Sequence, residues 1–175
     1  MNKIIYLIPV FALMLLGVFF YAHNNPNPKA LMIYKPIPPF STERLWVKDS
    51  NFTDKDLPAA PHIVHFFSTW CAACQEEHEL IMQLAKIHNI PIYGIAYRDA
   101  PEDVQKFLSD KGNPYIATSL DRSGENARIC KLKRTPSTYV IDKHKQIRYQ
   151  HDGALSKQHL TKIVLPIIEI LKQEK

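Results

Sequence analysis

Apolar and polar positions divide this chain into three stretches. Residues 4–22 carry no charge, and apolar side chains fill nearly every position. As one helix that run spans roughly 28 Å, close to the thickness of a bilayer core. Residues 23–39 are rich in Asn and Pro, with Pro26, Pro28, Pro36, Pro38 and Pro39, the composition of a stiff spacer. From residue 40 onward, short apolar runs alternate with amphipathic ones. Residues 63–67 and 92–97 are apolar without clean alternation, which predicts strands buried on both faces. Between them Leu80, Ile81, Leu84 and Ile87 recur at helical steps, so a helix is expected from Cys71 to His88, closed by Asn89 and Pro91. Val104, Phe107 and Leu108 share one face of a helix over 102–110 that Lys111-Gly112 ends. Residues 116–118, 137–141 and 146–151 read as strands, the last two joined by a turn at 142–145. Residues 40–47 suit an edge strand, 53–57 one helical turn, and Ser123 opens a short helix to Ile129. Ser156 opens a last helix, in which Leu160, Ile163, Val164, Ile167, Ile168 and Leu171 face the core and Pro166 introduces a bend.

The order is βαβα, a small helix, then ββα. That order predicts an α/β sandwich whose crossover helices cover a mixed sheet. The domains expected are a membrane anchor at 1–22, a linker at 23–39 and the folded domain at 40–175. A cleaved signal peptide is the alternative for 1–22, but cleavage favours small residues in an A-x-A arrangement, and Phe20 stands two before Ala22. Lys3 and the amino terminus then lie on the cytoplasmic side and the bulk of the chain outside it. The net charge is +5 and 46% of residues are hydrophobic. The cations read as a solvated surface, with no basic stripe interleaved with aromatics, so no nucleic-acid partner is expected. Three cysteines are too few for a disulfide framework.

Two of them stand at the joint between strand and helix, in Trp70-Cys71-Ala72-Ala73-Cys74. Unpaired N–H groups and the positive end of the helix dipole would stabilise a thiolate at Cys71. Cys71 is thus the expected nucleophile and Cys74 the resolving thiol, the redox arrangement of a thioredoxin-like fold. Half a zinc site, a copper site using Cys71, Cys74 and His78 or His65, and an inert disulfide are the alternatives. Thr135-Pro136 precedes the strand 137–141. In thioredoxin-like folds a cis-proline there sits beside the reactive sulfur, and the preceding backbone pairs with an extended substrate; an ordinary trans-proline opening an edge strand is the alternative. His65 lies six residues before Cys71, where cytoplasmic thioredoxins bury an acid. It either tunes the Cys74 proton or is a core histidine bonded to backbone. Trp70 flanks the docking face. Cys130 reads as a buried inert thiol, with a third redox thiol as the alternative. Glu76, Glu77, His78 and Glu79 are expected on exposed first turns, where acids complement the helix dipole.

From residue 31 to its end the chain resembles the DsbE/CcmG family, membrane-anchored thioredoxin-like proteins of cytochrome c maturation. The resemblance rests on Phe67-Ser68-Thr69-Trp70-Cys71-x-x-Cys74 followed by Glu77-His78 and Leu80. Tyr97-Arg98-Asp99, Gly112-Asn113-Pro114-Tyr115, and Ile147-Arg148-Tyr149 with His151 and Gly153 extend it. It implies a periplasmic reductant on the bacterial inner membrane, single-pass and monomeric, needing no bound cofactor beyond its Cys71–Cys74 redox disulfide. It implies a groove lined by Gly112, Asn113, Pro114 and Tyr115 near the active site, with Thr135 and Pro136 binding substrate. The implied partners are apocytochrome c or a haem-maturation protein, whose disulfides are reduced, and a membrane thiol carrier of the CcdA/DsbD type as electron donor. A general periplasmic exchange catalyst and a copper-binding chaperone are the rival functions. Two departures stand out. Ala72 replaces a proline common in the family, and Arg134-Thr135-Pro136-Ser137-Thr138-Tyr139 replaces Gly-x-Pro-Glu-Thr-Phe, losing an acid and gaining a cation.

Overall fold

The sheet is built outward from the apolar run that ends in the cysteine pair. In the computed structural model, which describes residues 4–174 (side chains of 4–7 and 23 aside), that run is β4, His62–Phe67, with all six residues buried. β5, Ile92–Tyr97, and β6, Ala117–Asp121, continue it in parallel. β7, Ser137–Ile141, and β8, Gln146–Asp152, pair antiparallel on its other side. With β1 (Lys35–Pro36), β2 (Ser41–Arg44) and β3 (Asn51–Thr53), the strand order is β1-β8-β7-β4-β5-β6-β2-β3. This is a mixed sheet with a thioredoxin-like arrangement.

Alternation along β4 divides the core. Ile63, His65 and Phe67 point to the face covered by α2 (Ala72–Lys86), α3 (Pro101–Lys111) and the C-terminal helix. Val64 and Phe66 point to the other face, with Phe40, Phe52, Tyr139 and Cys130. The helix α4, Glu125–Ile129, covers part of this second face through Ala127. Ser123 Oγ accepts the Glu125 N–H at 3.2 Å, and Asp121 does more, its carboxylate taking the Ala127 N–H at 2.7 Å. The C-terminal helix runs as α5 (Lys157–His159), a π-helical segment (Leu160–Val164) and α6 (Leu165–Gln173). The π turn absorbs Pro166: a proline inside a regular helix leaves one carbonyl without its N–H, and the wider turn lets Leu165 N–H reach Leu160 O.

Part of the segment read as a linker is folded against the domain. The Ile33 and Ile37 N–H groups donate to Arg148 O and Lys145 O. Tyr34 lies over the Arg148 guanidinium, 4.0 Å from ring centroid to Cζ. Arg148 is buried and also holds Asp142 (2.9 Å) and Glu174 (2.6 Å), joining the segment before β2, the β7–β8 turn and the chain's last turn. The partner strand lies more than a hundred residues away, so local composition carried no sign of it.

The N-terminal helix α1, Ile4–Asn24, leaves every described side chain from 8 to 22 exposed. Among the described residues no helix is long and apolar enough to cross a membrane. Residues 1–3 of the expected anchor lie outside the described residues.

Gly94 of β5 lies directly against the Tyr115 ring: a Cβ there would stand 2.8 Å from it. Gly94→Ala should therefore displace Tyr115 and lower stability by about 1–3 kcal/mol. Denaturant unfolding measures this, and an unchanged midpoint would show that the ring moves freely.

Candidate active site

β4 ends at Phe67, and after a three-residue loop the chain enters α2 with Cys71 as its N-cap. The intervening loop is held by the end of β5. Ser68 Oγ donates to Tyr97 O at 2.8 Å, and Trp70 Nε1 donates to Arg98 O at 3.2 Å. The Asp99 carboxylate accepts the Thr69 N–H at 2.6 Å and its hydroxyl at 2.9 Å. Tyr97-Arg98-Asp99 is thus the clamp on the loop before the nucleophile. Trp70 itself is exposed beside Cys71.

The two thiols occupy different environments. Both are free; Cys71 is half-buried, while Cys74 is 4% exposed. Cys71 Sγ lies 3.6 Å from Thr135 O, and the Thr135–Pro136 bond is cis, as the sequence suggested. Cys71, Trp70 and the Thr135-Pro136 turn are therefore together at one end of the sheet. Burial drives the Cys74 thiol well above the usual cysteine range, helped by its hydrogen bond with Cys71 and the nearby charges of Cys71 and Glu77. At neutral pH Cys74 holds its proton, and the accessible sulfur at the helix N-terminus is the one placed to react.

Beneath the pair lies a buried polar unit. His65 Nε2 is 2.8 Å from Glu77 Oε1, and His65 Nδ1 is 2.9 Å from the Tyr115 hydroxyl. Glu77 Oε2 accepts the Leu155 N–H at 2.7 Å. Burial raises the Tyr115 hydroxyl far above its usual range, so it remains a donor. The hydrogen-bond pattern then assigns Nδ1 as acceptor and places the ring proton on Nε2, toward the carboxylate. His65 is a core histidine as one reading held, but its partners are side chains rather than backbone.

Glu77 and His78 overturn the expectation of an exposed acidic turn: both are buried. Helical spacing carried the signal, since Cys74, Glu77, His78, Ile81 and Leu84 form the inner stripe of α2. Glu76 and Glu79 are exposed, as expected.

The stretch Gly112-Asn113-Pro114-Tyr115 divides between open and covered positions, with Asn113 exposed and Gly112 half-buried. Pro114 and Tyr115 are buried. The hollow they border includes Ala85, Asn89 and Pro91, at the start of β5, the end of the sheet opposite Cys71. Gly112 O accepts from His78 Nε2 at 3.0 Å, and Asn113 Oδ1 accepts the Tyr115 N–H at 2.9 Å. The motif instead sets Tyr115 under the redox pair. Its physical reason is the bulk of the tyrosine ring, which stacks on Phe67 at 5.0 Å between centroids and needs the bare backbone of Gly94.

With His78 committed to Gly112, the copper set loses a ligand; among the described residues no three His, Cys, Asp or Glu side chains are placed to hold a metal ion. Cys130 is buried, its thiol pushed up to about 12 by that burial.

Comparison with known proteins gives the same picture. Residues 34–164 match the Redoxin family model. The chain is 33% identical over 145 residues to the thiol:disulfide interchange protein DsbE of Xylella fastidiosa, covering 83% of this chain and 73% of that one. It is 29% identical to the DsbE of Vibrio cholerae over 99% of this chain and 98% of the relative. A thio-disulfide isomerase from Thermus thermophilus shares the fold, with a TM-score of 0.66 at 21% identity over 81% of this chain and 98% of the other. A strand–Cys-x-x-Cys–helix joint, a cis-proline against its first sulfur and these matches together place the chain in the Redoxin family, among the DsbE-type thiol:disulfide interchange proteins.

Proposed function

We propose that this thiol–disulfide oxidoreductase works as a membrane-tethered reductant of the haem-binding cysteines of apocytochrome c, or of a haem-maturation protein that relays electrons to them. The observation that carries the redox chemistry is the asymmetry of the pair: a half-buried Cys71 at a helix N-terminus against Thr135 O, with a buried, protonated Cys74 behind it. The DsbE resemblance supports the choice of substrate.

In the first step the Cys71 thiolate attacks one sulfur of the substrate disulfide. That S–S bond breaks, a mixed disulfide forms, and the departing substrate sulfur takes up a proton. Thr135, beside the cis-proline, offers the backbone against which an extended substrate lies. In the second step Cys74 gives up its proton and attacks Cys71. The Cys71–Cys74 bond forms, the mixed disulfide breaks and the substrate leaves with both cysteines reduced. The Glu77–His65 unit is the buried base nearest this proton, since the Glu77 charge is felt at Cys74. Two electrons have passed to the substrate, and a membrane thiol carrier of the CcdA/DsbD type returns them.

The tether is α1. Its apolar side chains from Ile8 to Tyr21 are exposed, and an uncharged helix of this kind is at home in lipid. A single-pass inner-membrane protein with its redox domain in the periplasm follows.

Full-length Cys74→Ser should trap the first intermediate, because nothing then resolves the mixed disulfide. Mass spectrometry of the species linked to Cys71 should find apocytochrome c or a haem-maturation protein; a broad set of unrelated secreted proteins would replace this reading with general disulfide exchange. A second prediction follows from Cys74. Its proton is held more tightly in the folded reduced protein than in the unfolded chain, whose thiols titrate near about 8.5. The stabilisation is complete below that pH and is lost as pH rises above it, with a slope of up to ~1.4 kcal/mol per pH unit. The oxidised form lacks this proton, while Cys130 contributes equally to both. Denaturant midpoints should fall faster for the reduced than for the oxidised protein between about pH 8 and 10; parallel curves would contradict the burial of Cys74.

A further inference from the structure

Cations that look scattered along the sequence are gathered by the fold beside the reactive sulfur. Residues 122–134 hold Arg122, Arg128, Lys131, Lys133 and Arg134 against one acid, Glu125. Because β5 and β6 run in parallel, Arg98 at the end of β5 stands next to this segment, its N–H bonded to Asp121 O at 3.0 Å. Between them lies a groove of about 540 Å³ lined by Tyr97, Arg98, Gly124, Ala127, Arg128 and Leu132, with one carboxylate, Glu125, also in its wall. Gly124 makes it possible: its φ is +77°, and a Cβ there would stand 2.7 Å from Arg98 Nε and 2.9 Å from the Tyr97 ring. The Arg98 guanidinium therefore lies along the groove wall, 5.3 Å from the Tyr97 ring centroid.

Little of this charge is neutralised internally. The Asp121 carboxylate is taken up by the amides of Asn126 and Ala127. Arg128 and Glu125 are 4.0 Å apart and largely exposed, and Lys133 pairs with Asp152 at 3.4 Å. Among the described residues Arg98, Arg122, Lys131 and Arg134 make no ion pair. The groove adjoins the reactive end of the sheet on both sides. Arg98 O holds the Trp70 indole, and Leu132 lies three residues before Thr135, whose carbonyl faces Cys71. The opposite flank of the active-site helix carries Gln75, Glu76 and Glu79 around a second hollow that one cation, Lys111, also lines.

We propose that the groove binds an acidic, extended segment of the protein whose disulfide Cys71 attacks. This rests on the thiol–disulfide exchange reading and adds to it the charge of the substrate. The apolar floor of Tyr97, Ala127 and Leu132 accommodates the body of the segment, and the cations meet its carboxylates. The acidic flank beyond Cys71 repels the same segment, which fixes its direction across the active site.

The test uses two synthetic peptides with the same internal disulfide, one flanked by Asp and Glu and the other by Lys. The reduced full-length protein in detergent is mixed with each, and the second-order reduction rates are compared at low and high salt. Electrostatic steering should make the acidic peptide react about tenfold faster at low salt, and salt should erase the preference as screening shortens the range of the field. In the double variant Arg98→Glu, Arg128→Glu the ratio of the two rates should fall to one or invert. That ratio does not depend on the fraction of protein that is folded. Equal rates in the wild type, or an unchanged ratio in the variant, would overturn the proposal. So would competition by phosphatidylglycerol vesicles without a peptide preference, which would assign the cations to a lipid surface. Hydroxyethyl disulfide serves as the uncharged control: if the wild type cannot reduce it, the exchange reading itself has failed.

Discussion

The Glu77 carboxylate, buried beneath the two thiols, ties together the parts that make the reactive end of this molecule. It stands on α2, faces His65 of β4, and accepts the N–H of Leu155 from the turn after β8. Through His65 it reaches Tyr115, which enters from the connection between α3 and β6. A carboxylate taken out of water costs several kcal/mol unless its oxygens are bonded. Here each oxygen has a partner, so satisfying the group fixes four segments relative to one another. Those segments carry Cys74, the floor under it, and the turn whose Gly153 N–H bonds Pro136 O. The arrangement of nucleophile, resolving thiol and cis-proline loop follows from that constraint.

Electrostatics then separates the roles of the two sulfurs. Cys71 meets open N–H groups and solvent, while Cys74 meets apolar side chains and a negative charge. The same contrast continues at larger scale. The groove on one side of Cys71 is lined by Arg98 and Arg128 against the single acid Glu125, the hollow on the other by Glu76 and Glu79 against the single cation Lys111. Chemistry is thus set by the ångström-scale contrast beneath the pair, and partner choice by the contrast across the face above it.

The parts of this design that were legible in the sequence are those written in local periodicity. The apolar runs that became β4 and β5, the stripe that became α2, and the cysteines at their joint all follow from patterns a few residues long. Thr135-Pro136 was found by its position before a strand. What escaped depends on partners remote in the chain. β1 pairs with β8, more than a hundred residues on, so a Pro-rich stretch looked like a free spacer. Glu77 looked like surface charge because acids at a helix start usually are, although its spacing from Cys74 and Ile81 placed it inward. Gly-Asn-Pro-Tyr marked something specific, but its tyrosine is directed to His65 rather than to an open groove. The cationic groove was invisible because Arg98 and the 122–134 segment meet only when β5 and β6 lie side by side.

The most direct test of this account is the chemical inequality of the two thiols. Reduced protein would be exposed briefly to iodoacetamide across a range of pH, and peptide mass spectrometry would count label at each cysteine. The account predicts alkylation of Cys71 throughout the neutral range, with Cys74 and Cys130 unmodified until the protein unfolds. Equal labelling of Cys71 and Cys74, or labelling of Cys74 first, would contradict it.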